Sequence, residues 1–300
     1  MMNIHIKNNR DGFSMLELVF VIVVLGIVAS IGSEIIAKVY KSYIIQRASY
    51  RSSTKVELAS MQIANRLTYA IPNTEIARKS STDGTYSGLD SLGNSNYRVL
   101  EWVGYDKEGF NLPKNQGWTG FGDLDASNSN ASTAWLVSWA SHTSNLNNYI
   151  INISGATTDL YKGGVIFFPE TYTVNTIGYN GNTDGVSLII GRYSNVTFRL
   201  KATSKPRTMI EYYKLAWSAY AIVPVIQANG LWELKLYYGF QPWNGIYYLN
   251  PRVQKKTLLK NVSIFQFSSA GNTIRFKICQ QEFIGDVQKI TTCKEKVVIR

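Results

Sequence analysis

From Gly12 to Ile36 the chain reads GFSMLELVFVIVVLGIVASIGSEII, an apolar run with one carboxylate, Glu17, near its start and a second, Glu34, near its end. The sixteen uncharged residues from Leu18 to Ser33 give about 24 Å of helix, short of a hydrocarbon core of roughly 30 Å, so Phe13 to Glu17 must supply the remaining depth. That places Glu17 in or at the edge of lipid, where an unneutralised charge costs several kcal/mol and calls for a partner. A free amine is the partner expected.

Past Ile36 the pattern turns amphipathic. No proline occurs before Pro72, so helix is predicted from Phe13 to about Ala70, on the order of 87 Å. Val56, Ala59, Ile63, Leu67 and Ala70 recur at three- and four-residue spacing and form one apolar face for packing on the downstream domain. Lys55, Gln62 and Arg66 lie opposite, in water or against other subunits. A break at Ser52, Ser53 and Thr54 is the alternative, with no breaker residue to support it. Glu34 and Lys38 stand at the supportive four-residue spacing, worth only a few tenths of a kcal/mol.

Pro72 to Asn94 is polar and rich in Gly and Ser, a predicted loop. Short strands are then predicted at Tyr97–Val103, Trp135–Trp139, Tyr149–Ile153, Val165–Phe168, Val186–Tyr193 and Val196–Leu200, around a second polar insert, Asp106–Thr133. Such inserts are surface features where binding functions diversify. The last hundred residues read as antiparallel sheet. Ala219–Ile226 and Leu231–Phe240 flank a QANG turn, with Trp232, Leu234, Leu236 and Tyr238 on one face and Glu233 and Lys235 on the other. Val262–Phe267 and Thr273–Cys279 repeat the plan around SSAGN, and Val297–Ile299 is expected as a final edge strand. The fold class is α+β: a long N-terminal helix packed on an antiparallel sheet domain.

Gly12, Phe13 and Glu17, behind a short basic leader and at the head of the apolar run, resemble the processing site of type IV prepilins and type II secretion pseudopilins. The resemblance implies cleavage after Gly12 by an inner-membrane prepilin peptidase and N-methylation of Phe13. It also implies that Glu17 meets the N-terminal amine of a neighbouring subunit entering a filament. In a low-dielectric medium such a pair attracts far more strongly than in water. An ordinary signal anchor that happens to carry a glutamate is the competing reading, and a cleavable secretory signal fits worse, since Ala29, Ser30 and Gly32 only weakly imitate its cleavage site. LLKNVSIFQFSSAGNTIRFKIC resembles the terminal sheet of larger minor pilins and pseudopilins, especially the J-type minor pseudopilin. One departure is Glu34, where many major pilins carry a proline.

On this reading residues 1–12 are a leader, 13–37 a transmembrane helix, 38–71 its amphipathic continuation and 72–300 a periplasmic β-rich domain with polar inserts near 72–94 and 106–133. The implied partners are prepilin peptidase, other pilin or pseudopilin subunits and inner-membrane lipid. The charge flanking the span argues against this topology, because Lys38, Lys41, Arg47 and Arg51 outnumber Lys7 and Arg10. The leader is nevertheless placed inside, since its processing enzyme works there and large domains translocate largely regardless of charge.

The net charge of +11 falls to +10 once the leader's Lys7, Arg10 and Asp11, together +1, are removed. Lys201, Lys205 and Arg207 form one basic cluster, and Arg252, Lys255, Lys256 and Lys260 another. With many aromatics these permit DNA binding, and DNA-uptake systems use related filament machinery; a solvated basic surface or attraction to anionic lipid accounts for the same charges. A DNA-binding minor pilin and a membrane-anchored adhesin are therefore the alternatives to a structural subunit.

Cys279 and Cys293, the only cysteines, would close a loop worth about 3 kcal/mol in an oxidising compartment, or stay as two unrelated thiols. Zinc is poorly supported, because of the only two histidines, His5 and His142, the first lies in the leader, which leaves no Cys/His cluster. Asp123, Asp125 and Ser127 imitate the opening of a calcium loop, but its twelfth place holds Ala134 instead of Glu. A polar surface loop is expected there, with no metal and no cofactor. His142 lies in SWASHTSNLN, no GxSxG surrounds a serine, and a solvated loop histidine is expected, so the chain reads as a non-enzyme.

Overall fold

The computed structural model describes residues 12, 14–80, 84–92, 97–130, 134–201, 208–285 and 288–299. The chain divides into two units, Met1–Arg51 with Phe283–Ile290, and Ser52–Glu282 with Thr291–Arg300. A single helix, α1 (Met15–Leu67), opens the chain. In the first unit none of its most apolar stretch is buried, and in the second it presents a buried face.

In the second unit α1 is followed by β1 (Ile76–Arg78), β2 (Ser87–Gly88), β3 (Val99–Gly104), α2 (Lys107–Phe110), β4 (Asp123–Asn128) and β5 (Ala134–Val137). Next come α3 (Thr143–Ile153), α4 (Leu160–Gly163), β6 (Val165–Phe167), β7 (Ser187–Ser194), β8 (Thr197–Leu200) and β9 (Lys214–Ala216). The chain closes with β10 (Ser218–Ile226), β11 (Trp232–Phe240), β12 (Gln254–Ala270), β13 (Thr273–Ile284) and β14 (Gln288–Ile299). The strands form two sheets, an eight-stranded one in the order β14-β13-β12-β11-β10-β3-β1-β2 and a six-stranded one in the order β4-β5-β8-β7-β6-β9. Every pairing described is antiparallel. The architecture is α+β, a long N-terminal helix with antiparallel sheets.

Three apolar cores result. In the first, Val56, Ala59, Ile63, Leu67 and Ala70 pack with Leu100, Trp102, Ile222, Leu234, Leu236, Phe276 and Ile278, which seats α1 on one face of the larger sheet. The second gathers Val99, Val103, Ala221, Val223 and Phe240 from that sheet's other face with Val165, Phe167 and Ala216 of the smaller one. The third holds Leu136, Ile166, Ile189 and Phe198 of the smaller sheet with Leu146, Ile150 and Leu160 of α3 and α4. This layering explains two sequence patterns. β10 is a nearly continuous apolar run because both of its faces are covered, whereas in β13 Ile274, Phe276 and Ile278 alternate with exposed Arg275 and Lys277 because only one face meets α1. β3 pairs only with Ser218–Ile222, so at Pro224 the strand β10 has a ladder partner on one side alone, β11, as suits a proline in a strand.

Several expectations are corrected. α1 ends at Leu67, three residues before the predicted Ala70: Tyr69 and Ala70 close a tighter turn on Arg66 and Leu67, and Ile71 N–H donates instead to Val103 O at 2.8 Å. Pro72 disfavours helical geometry at Ile71, so the chain leaves there. Tyr149–Ile153 is not a strand but the end of α3, whose Thr143, Leu146 and Ile150 are buried at helical spacing. His142 is not a free loop residue; its Nδ1 accepts from Asn145 N–H at 3.2 Å and caps α3. The polar insert 106–133 holds α2, β4 and the buried Trp118, and 72–94 holds β1 and β2. The expected last strand, Val297–Ile299, extends from Gln288. Its apolar periodicity is hidden by Lys294 and Lys296, which face Glu57 of α1.

Candidate functional site

Gly12 is exposed, and a Cβ added to it would meet nothing within 4 Å. Phe13 lies outside the described residues, as do Lys7, Arg10 and the rest of the leader. Ser14 immediately precedes α1, and its Oγ accepts from Glu17 N–H at 3.3 Å while its carbonyl accepts from Glu17 and Leu18 N–H at 3.1 and 3.2 Å. Ser14-Met15-Leu16-Glu17 thus has the sequence of a capping box, with its serine-to-backbone bond in place. Glu17 sits in the first turn, where the positive end of the helix dipole favours a carboxylate. The S-x-x-E spacing is the sequence signal for the capping role of Ser14, and a reading of the apolar run alone passes over it.

From Leu18 to Ser33 the helix carries no charge on any side. Leu18, Phe20, Val21, Ile22, Leu25, Val28 and Ile31 are all exposed. Its most apolar stretch has a mean hydropathy of 2.6 and none of it is buried, so α1 is long and apolar enough to cross a membrane. Where a hydroxyl occurs in this run it is bonded within the helix: Ser33 Oγ donates to Ala29 O at 2.8 Å. Glu34 and Lys38 pair at 2.7 Å on an exposed face, a contact worth no more than about 0.5 kcal/mol.

From Ser52 onward the same helix grips the sheet. Val56, Ile63 and Leu67 are fully buried, each contributing roughly 1.5–3 kcal/mol of apolar transfer. Ser52 Oγ donates to Gln280 Oε1 at 3.3 Å and Lys55 pairs with Glu282 at 3.1 Å. Glu57 accepts from Lys294 at 2.8 Å and Lys296 at 2.7 Å, and these two bonds hold its carboxyl below the usual range. Cys279 and Cys293 are joined by a disulfide of 2.08 Å between β13 and the edge strand β14.

The remaining candidates go elsewhere. Asp123 is in β4, and its oxygens are engaged: Oδ1 accepts from the N–H groups of Asp125 and Ala126 at 3.0 and 3.1 Å, and Oδ2 from Trp139 Nε1 at 2.7 Å. Those bonds lower its pKa, the Trp139 bond foremost. Among the described residues no three of His, Cys, Asp and Glu gather as a metal site would require. Lys201, Arg252, Lys255, Lys256 and Lys260 are exposed, while Lys205 and Arg207 lie outside the described residues.

Two buried acids go beyond the sequence expectations. Arg78 Nε donates to Glu101 Oε1, the two side chains being 6% and 0% exposed. Burial pushes Glu101 up to about 7 against the pull of that guanidinium. Asp106 caps α2 by accepting from Gly109 N–H at 3.1 Å and takes a longer bond from Trp217 Nε1, yet burial lifts it to about 6. Nothing in local periodicity marks either residue, because their burial depends on distant elements.

Residues 7–33 match the family model described as the prokaryotic N-terminal methylation motif. The N terminus is therefore of the type IV pilin-like kind that prepilin peptidase processes. No curated protein and no solved structure matches the chain.

Proposed function

We propose that the chain, with its prepilin-type motif at residues 7–33, is a minor pilin or pseudopilin, a structural subunit without catalytic activity. Residues 1–12 are the leader, removed after Gly12; Phe13 becomes the methylated N terminus; 13–37 span the inner membrane, 38–71 continue the helix, and 72–300 form the periplasmic domain. The observation that carries this reading is the contrast along α1. Its first half exposes an apolar surface on every side, while its second half buries only one face. A helix apolar all round needs lipid or other helices about it, whereas a one-sided helix belongs to a folded domain.

Glu17 supplies the assembly chemistry. In lipid its carboxylate and a neighbour's N-terminal ammonium are each costly alone, and bringing them together removes two unpaired charges at once. The capping bond from Ser14 fixes the first turn and so holds Glu17 one turn from the new terminus. The disulfide between Cys279 and Cys293 suits an oxidising periplasm.

Mass spectrometry of the protein from membranes tests the processing step. N-methylated Phe13 as the first residue is expected, and a chain still beginning at Met1 in assembled complexes overturns the proposal. Glu17→Ala tests assembly separately: the subunit should be processed and retained in the membrane yet be missing from sheared filaments.

A further inference from the structure

A groove of about 320 Å³ opens between the last turn of α1 and α2, lined by Asn65, Arg66, Tyr69, Lys107, Glu108 and Tyr238, with Gly104, Tyr105 and Tyr220 completing it. It lies in the second unit and is separate from the N-terminal motif. Four tyrosines in one groove invite a stacked base, but most of their faces are taken. Tyr220 stacks on Trp102, with centroids 5.7 Å apart and planes at 21°. It also lies so close to Gly104 that a Cβ there would stand 2.7 Å from the ring. The Lys107 ammonium caps Tyr69, 3.9 Å from its centroid, and Lys214 stands over Tyr105 at 5.3 Å. Tyr69 and Tyr105 meet edge to face at 5.5 Å. Tyr238 has no ring or cation partner among the described residues; it packs in part on the first core and still lines the groove.

The polar groups around it are of both kinds. Among the described residues Arg66, Lys107 and Glu108 form no ion pair within 4 Å, although the Glu108 charge acts on Lys107 from further off. Arg66 donates from Nη1 to the carbonyl of Gln62 in its own helix at 3.2 Å. A simple oxyanion would meet two cations but also the Glu108 carboxylate. A ligand whose groups both donate and accept satisfies all three, and sugar hydroxyls do so. A volume at the small end of the roughly 300–1,000 Å³ of ligand sites suits one ring.

We infer that this groove binds a saccharide unit: Arg66 and Lys107 donate to its oxygens, Glu108 accepts from a hydroxyl, and Tyr238 lies against its C–H face.

The full chain, purified in a polyoxyethylene detergent because alkyl glycosides carry sugars of their own, is titrated by saturation-transfer NMR. The probes are glucose, galactose, N-acetylglucosamine and glucuronic acid. At least one is expected to give a saturable signal, weakened tenfold or more in both Arg66→Met and Glu108→Gln and unchanged in Lys277→Gln on the far strand β13. Each variant's thermal midpoint is checked first, and Lys107→Gln replaces Arg66→Met if that variant does not fold. Absence of signal from all four sugars, or a signal equal in the groove variants, overturns the inference. Displacement by inorganic phosphate or acetate at equal concentration would make the groove an anion recess instead. Displacement by a thymidine oligonucleotide would make it a nucleic-acid site. Either result also refutes the saccharide reading.

Discussion

Glu57 on α1 and Lys296 on β14 meet at 2.7 Å, although 239 positions separate them in sequence. With Lys294 on the same carboxylate, this contact ties the edge strand of the larger sheet to the helix. The edge is otherwise held by its ladder to β13 and by the disulfide. An edge strand with lysines along it is also protected against pairing with other chains.

Replacing Glu57 by Gln should free β14 without unseating α1. Amide hydrogen exchange is expected to quicken at Lys294 and Lys296 while Val56 and Ile63 keep their protection. Because the Glu57 carboxyl titrates below its ordinary value, the tie is present at neutral pH and weakens as pH falls through that lowered value. High salt should mimic the substitution.

Reduction of the Cys279–Cys293 bridge should lower stability by about 3 kcal/mol, the chain-entropy value for a loop of this size. Urea denaturation of the full chain with and without reductant measures it. A Cys279→Ser, Cys293→Ser variant should show no response to reductant.

Ile63→Ala removes a fully buried side chain from the helix–sheet core and should cost about 2–5 kcal/mol. Met61→Ala, two positions away and 46% exposed, should stay within about 0.5 kcal/mol of the parent. Denaturant midpoints of the two variants make the comparison. Equal effects would mean that this face of α1 is not seated as described.

Asp106 gives a pH signature of definite sign. Its carboxyl is raised from 3.8 to about 6 in the fold, so the folded state holds a proton that the unfolded chain releases. Its contribution is therefore full below the unfolded value and is lost as pH rises through about 6, a change of roughly 3 kcal/mol. Asp106→Asn keeps the acceptor for Gly109 N–H and removes the titration. The variant should gain on the parent between pH 4 and pH 7 in chemical denaturation. A constant difference across that range would place the titration elsewhere.

Sequence by itself settled what depends on local order. The apolar run and its single early acid, the buried stripe at Val56, Ala59, Ile63 and Leu67, and the alternation in β11 and β13 each follow from the period of a helix or strand, which neighbouring residues set among themselves. Ser14 belongs in the same class, since its cap needs only Glu17 three residues on. Tertiary structure alone decided the rest. The division into two sheets, the burial of Glu101 beside Arg78 and the helix at Thr143–Ile153 depend on which faces meet. Likewise β14 is a full strand because Glu57 and Cys279 hold it, although four of its twelve side chains are charged. Such partners lie far off along the chain, and burial converts their encounter into free energy only after the layers have closed, so no short stretch of sequence carries the information.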